Sequence, residues 1–273
     1  MQGRSDPPSV PPATALDPNE VQPVELCGVR LPAAWPDEEM DALAAFVSPE
    51  RRERIRRFRR REDRMRSLLA ELLARWLLAR RLGIAPADIR FARNRYGKPA
   101  CVNGPAHFNL SHSGDWVVAA VSPGEIGVDV ERIDPGMDLS LADSVFTPAE
   151  RAWLDADVPG RRERFFELWT YKESFVKCAG SGLSMPLASF SIVPRADGTA
   201  TVEPHASDSP GSPARERYRD CRLRQFPIDG HKLAVCSLGP PLDNAAFREL
   251  SLETLTAAFI GRHPVQEEPP VQS

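Results

Sequence analysis

Between positions 62 and 82, apolar side chains return at steps of three and four through Met65, Leu68, Leu69, Leu72, Leu73, Trp76 and Leu77. Arg80 continues the series and Gly83 lies just beyond it. That spacing predicts one long helix with a buried stripe and a basic face, stopped by the glycine. A second helix is read over 164–180, with Phe165, Phe166, Trp169 and Val176 as packing residues and Gly180 as the stop. Between the two, 116–122 and 126–133 read as β-strands parted by the turn Ser122-Pro123-Gly124. A long helix followed by short strands thus occurs twice, the second helix preceding strands at 190–193 and 233–237. No sequence repeat accompanies the pattern, yet it predicts an α/β (α+β) chain of two comparable lobes meeting near Pro123 and Gly124.

A chain of 273 residues can form one large domain or two small ones. The expected division is 23–123 for the first lobe, 124–240 for the second and 241–273 for a C-terminal extension. Residues 1–22, with Pro7, Pro8, Pro11, Pro12 and Pro18, cannot assemble a core and read as a disordered leader; the tail from His263 is similar. The polar stretch 204–213 reads as a surface loop. No secretory signal or membrane span is expected, because the longest apolar segment, 68–78, is interrupted by Glu71 and Arg75. The five cysteines (Cys27, Cys101, Cys178, Cys221, Cys236) form no CxxC pair, and their odd number argues against a disulfide framework; a reducing cytoplasm is expected. A net charge of −3 conceals an arginine-dense block over 51–66, which points to an anionic partner.

In Gly127-Val128-Asp129-Val130-Glu131, residues two apart on a strand share a face, so Asp129 and Glu131 project together while Val128 and Val130 face a core. Two carboxylates on one rigid face suit a hard divalent cation such as magnesium, although a solvated strand edge has the same pattern. Trp169, Glu173 and Lys177 are four apart and share one helix face; a plain surface Glu–Lys pair explains either charge but not the tryptophan, nor the Gly180-Ser181-Gly182-Leu183 loop that follows. Ser48-Pro49-Glu50 reads as a helix start, which places Arg51 and Arg54 on one face and Ile55 and Phe58 on the buried side. The arginine block could track a nucleic-acid backbone, but Glu53, Glu62 and Asp63 interrupt it and no reading motif accompanies it. In Phe108-Asn109-Leu110-Ser111-His112-Ser113 a Ser–His nucleophile lacks the G-x-S-x-G elbow, and a phosphate-holding role fits the donors better. Tyr96-Gly97-Lys98-Pro99 adds a point charge on a tight turn.

Taken in order, the Tyr96 turn, the Phe108–Ser113 segment, Ile126 to Glu131, and Trp169 to Lys177 with its glycine-rich sequel resemble the surfactin-synthetase-activating (Sfp) type of 4′-phosphopantetheinyl transferase over 48–237. The resemblance implies two pseudo-symmetric lobes, each a small, mostly antiparallel sheet on a long helix, enclosing coenzyme A and magnesium. It implies Asp129, Glu131 and Glu173 as metal ligands, Arg51, Arg54, Lys98, Ser111 and His112 around the 3′-phosphate, Lys177 at the diphosphate, and Glu173 also as the base. Family members often carry lysine where Arg51 and Arg54 stand, which changes contact geometry but not charge. The implied partner is an apo acyl or peptidyl carrier protein, met by the segment after Glu131 up to about Leu154. The expected state is a cytoplasmic monomer that engages neither membrane nor nucleic acid; the alternatives are a nucleic-acid-binding module and another magnesium-dependent phosphate enzyme.

Overall fold

The computed structural model describes residues 23–94, 97–180, 185–204 and 220–260. The leader, the tail from His263, Tyr96, Ser181 to Leu183, and nearly all of the 204–213 stretch lie outside them. In chain order the elements of the first half are β1 (Glu25–Arg30), α1 (Asp37–Ala44), α2 (Pro49–Arg56), α3 (Arg61–Leu82), β2 (Phe91–Arg93), β3 (Pro99–Cys101), β4 (His107–Ser113) and β5 (Trp116–Ser122). Then come β6 (Ile126–Arg132), α4 (Ala142–Val145), α5 (Pro148–Asp155), α6 (Arg161–Ala179), β7 (Phe190–Pro194), β8 (Thr199–Pro204), β9 (Cys221–Phe226), β10 (His231–Leu238), β11 (Phe247–Glu249) and α7 (Leu252–Ile260).

Two larger sheets divide the chain, one ordered β11-β1-β5-β4 and the other β6-β10-β9-β8-β7, and β2 pairs with β3 in a separate two-stranded hairpin. All pairings are antiparallel except that of β1 with β11. The strand period of two builds the layers. On β5, Val117, Ala119 and Val121 face the core around α3, while Trp116, Val118 and Ala120 face the second sheet. On β10, Leu233 and Val235 face the first sheet and Ala234 and Cys236 face α6. The result is helix, sheet, sheet, helix, with the break between sheets falling between β5 and β6. The mixed α/β architecture, with a long helix on each sheet, is the expected one.

Both long helices end where a left-handed glycine lets the chain turn out of the last turn: Gly83 at φ 66° and Gly180 at φ 69°. The predicted basic face of α3 is a correction. The helix is buried nearly all round from Met65 to Ala79, because α1, α2 and α7 cover the sides away from the sheet. Small residues at Ala70, Ala74 and Ala79 admit those neighbours. Arg75 is buried because its guanidinium donates to Glu71 Oε1 (3.0 and 3.2 Å) and to the Ile89 carbonyl (2.7 Å). Phe58 is a second correction. Ser48 caps α2 as expected, its Oγ accepting from Arg51 N, but the helix stops at Arg56, so Phe58 falls past the last turn and is 41% exposed.

The far side of α6 is anchored by a buried ion pair. Lys172 Nζ donates to Glu150 Oε1 (2.9 Å) and to the carbonyls of Leu187 and Phe190 (both 2.7 Å). Glu150 in turn accepts from the amides of Thr147 and Ile192, so every polar atom of the pair is occupied. This ties α5, α6 and β7 together behind the residues that α6 presents to its other neighbour, β6.

Candidate active site

Gly127 sets the distance between β6 and α6. A Cβ there would run into the carbonyl oxygen of Ser174 and the amide nitrogen of Cys178, so only glycine lets the helix lie directly on the strand. Asp129 and Glu131, on the same face as Gly127, then come beneath Glu173 and Lys177 of α6. On the other side, the edge of β4 meets the edge of β6. Asn109 Oδ1 accepts from Val128 N (2.9 Å), Ser111 Oγ donates to Asp129 Oδ1 (2.9 Å), and Ser113 Oγ donates to Glu131 Oε2 (2.7 Å). Alternate residues of the two strands therefore meet in register along the seam between the sheets.

Asp129, Glu131, Glu173, Lys177, Trp169, Ser111, His112 and Arg51 line one cleft of about 410 Å³. Lys177 Nζ donates to Asp129 Oδ1 (2.6 Å), Ser111 Oγ (3.0 Å) and the Val128 carbonyl (3.3 Å). Asp129 Oδ2 is buried and has no partner among the described residues. Three carboxylates thus face one ammonium. Burial, partly offset by Lys177 and Ser111, holds the Asp129 carboxyl above the ordinary range. Burial and then repulsion from Asp129 push Glu131 up to about 7 and also raise Glu173. Desolvation of its ring, then the nearby Arg66, lowers the pKa of His112, which favours the neutral imidazole at neutral pH. Among the described residues, no three such side chains are drawn close enough to form a ready-made metal cage.

The cleft continues into a second hollow of about 490 Å³, with which it shares Arg51 and Leu110. Arg54 opens into this second part, as do Arg90 and Arg93. Arg51 is held by the Ser67 carbonyl (3.2 Å) and Glu71 (3.4 Å).

Two expected residues sit elsewhere in the network. Ser111 spends its hydroxyl on Asp129 and Lys177, inside the carboxylate cluster. Lys98 lines neither hollow; its ammonium grips the carbonyls of Lys177 (2.6 Å), Ile126 (3.2 Å) and Cys178 (3.4 Å), at the C-terminal end of α6 where a cation suits the helix dipole. Ser113, expected among the phosphate donors, gives its hydroxyl to Glu131, and Asn109, Glu71 and Arg93 are not marked out for a role by the sequence. The alternation Asn109-x-Ser111-x-Ser113 opposite Asp129-x-Glu131 was the available signal for Ser113 and Asn109.

Residues 34–124 match the family model described as 4′-phosphopantetheinyl transferase, N-terminal, and residues 125–236 match that of the 4′-phosphopantetheinyl transferase superfamily. The 4′-phosphopantetheinyl transferase Sfp of Bacillus subtilis is 38% identical over 220 residues, which cover 80% of this chain and 93% of that protein. The chain belongs to the 4′-phosphopantetheinyl transferase superfamily. The transferase gsp of Aneurinibacillus migulanus is 32% identical over 238 residues, covering 87% of this chain and 95% of its own. The holo-[acyl-carrier-protein] synthase of Thermotoga maritima superposes with a TM-score of 0.35 at 17% identity, over 43% of this chain and 64% of that one. As a phosphopantetheinyl transferase, the protein moves a phosphopantetheine arm to carrier proteins. A nucleic-acid-binding role is not favoured. Among the described residues, no helix is long and apolar enough to cross a membrane.

Proposed function

We propose that this transferase takes its arm from coenzyme A, with the 3′-phosphate at the arginine end of the groove and the pyrophosphate over Asp129, Glu131 and Glu173. The observation that supports this most is the continuity of the two hollows through Arg51. A groove that is basic at one end and carboxylate-lined at the other suits a molecule with a phosphate monoester remote from a metal-binding pyrophosphate. Arg51 and Arg54 bind the monoester as planar forks, and His112, which lines the cleft together with Arg51, donates through the single N–H of its neutral ring.

Asp129, Glu131 and Glu173 fit a magnesium ion. They offer hard oxygen donors, the buried Oδ2 of Asp129 has no protein partner, and one ammonium leaves the trio short of positive charge. Such an ion, when bound, supplies Lewis-acid stabilisation of the phosphoryl oxygens. The side chains do the rest. Glu173, made more basic by burial and by Asp129, takes the proton of the carrier serine. The serine oxygen bonds to the phosphorus nearest the pantetheine arm as the bond from that phosphorus to the bridging oxygen breaks, and adenosine 3′,5′-bisphosphate leaves. Lys177 faces the charge that develops on that oxygen. The carrier docks on 132–154, where Leu141 is 37% exposed.

Incubation with coenzyme A, an apo carrier protein and magnesium should raise the carrier's mass by the phosphopantetheine arm, and chelation should stop it. Asp129→Asn should reduce the rate at least about 100-fold, the scale of one lost transition-state contact. A near-normal rate for that variant would refute the assignment of the metal and diphosphate end.

A further inference from the structure

The β2–β3 hairpin is a partition with two chemically distinct sides. Phe91 and Arg93 are two apart on β2 and share a face. Phe91 lies under Arg75 and against Phe108, which fixes that face toward the arginine-lined hollow. Lys98, across the turn, lies on the opposite side, and its ammonium is taken up by the carbonyls at the end of α6. Among the described residues, the cation that this hairpin offers to the hollow is therefore Arg93.

The other arginines there differ in how much donor capacity they retain. Arg75 is consumed by Glu71 and the Ile89 and Pro86 carbonyls, and Arg90 donates to the carbonyls of Ala87 and Ile89. Glu71 also holds Arg51, and Glu50, the other acid of the hollow, accepts from Ser48. Arg54 makes no ion pair or side-chain hydrogen bond among the described residues. Arg93 gives one nitrogen to the Gly97 carbonyl (2.7 Å) and keeps the rest of its fork. Arg93 and Arg54 are close enough to Arg51 to lower its pKa, after the larger effect of burial and against the pull of Glu71. Three guanidinium groups lining one hollow with so little counter-charge suit an anion between them.

We infer that Arg93 is a binding residue for the 3′-phosphate of coenzyme A, completing with Arg51 and Arg54 the anion site in which Lys98 has no part. This rests on the reading of the groove given above. Steady-state transfer to a carrier is measured with coenzyme A and with 3′-dephospho-coenzyme A, for the unaltered enzyme and for R93A, R93K and R54A. R93A should lower kcat/KM for coenzyme A about tenfold more than for the dephospho form, the scale of one charged hydrogen-bonded contact, and R93K should recover part of the difference. If R54A erases discrimination between the two donors while R93A leaves it whole, the inference about Arg93 is wrong and the groove reading survives. If the unaltered enzyme treats both donors alike, both fall together.

Discussion

At Asp129 and Glu131 the chain sets a buried carboxylate beside a partly buried one, and the pH dependence of stability should record it. Glu131 holds its proton more tightly in the folded protein, at about 7 against the ordinary 4.5. Its contribution is therefore neutral below pH 4.5 and becomes increasingly unfavourable as pH rises through 7, because the folded state then binds more protons than the unfolded one. Glu131→Gln removes that penalty. In chelator at pH 8 the variant should melt about 2–5 °C above the unaltered protein, and near pH 5 the gain should largely vanish. Its transferase activity should fall. A gain independent of pH would mean that the strain lies elsewhere. The same site shows what a sequence can and cannot disclose about single residues. Asp129, Glu131, Glu173 and Lys177 were legible because strand and helix periods alone decide which side chains share a face. Lys98 was not, since its carbonyl partners lie on β6 and, some eighty positions away in the chain, on α6.

Between elements, the decisive contact is the close approach of α6 to β6. Gly127→Ala should push the helix off the strand, because backbone atoms of Ser174 and Cys178 cannot yield as a flexible side chain could. Carrier modification should fall at least about 100-fold, with a lowered melting temperature, when carrier mass and thermal melts are followed in parallel. Normal turnover would show that α6 has room to spare. The long helices and the strands β5, β6 and β10 were readable from apolar periodicity and from Gly83 and Gly180. β4 was not identified as a strand because Asn109, Ser111 and Ser113, the residues that would have completed an apolar face, turn instead toward the carboxylates and amides of β6. Short β2, β3 and β11, three residues each, carry too little pattern to announce themselves.

Across the whole molecule, the two halves are interlocked by the last described segment of the chain. After β10 the chain returns to the first sheet, where β11 pairs with β1 and α7 sends Leu255 and Phe259, after Leu250, into the core around α3. No local signal in 241–260 indicated this, because the pairing depends on a strand more than two hundred residues upstream. Ending the chain at Pro240 should uncover those side chains at a cost of about 1.5–3 kcal/mol each. The truncated protein should melt markedly lower or precipitate, although it retains every residue of the cleft. An unchanged melting temperature would show the return segment to be dispensable.

The parallel register of β1 and β11, Leu26 opposite Phe247 through Gly28 opposite Glu249, also fixes how the molecule bears tension. Pulling the two ends of the described chain apart drags these strands lengthwise past each other. Their cross-links are then loaded together and do not peel one at a time, so the second sheet and its helix are shielded from an axial tug until that clasp slips.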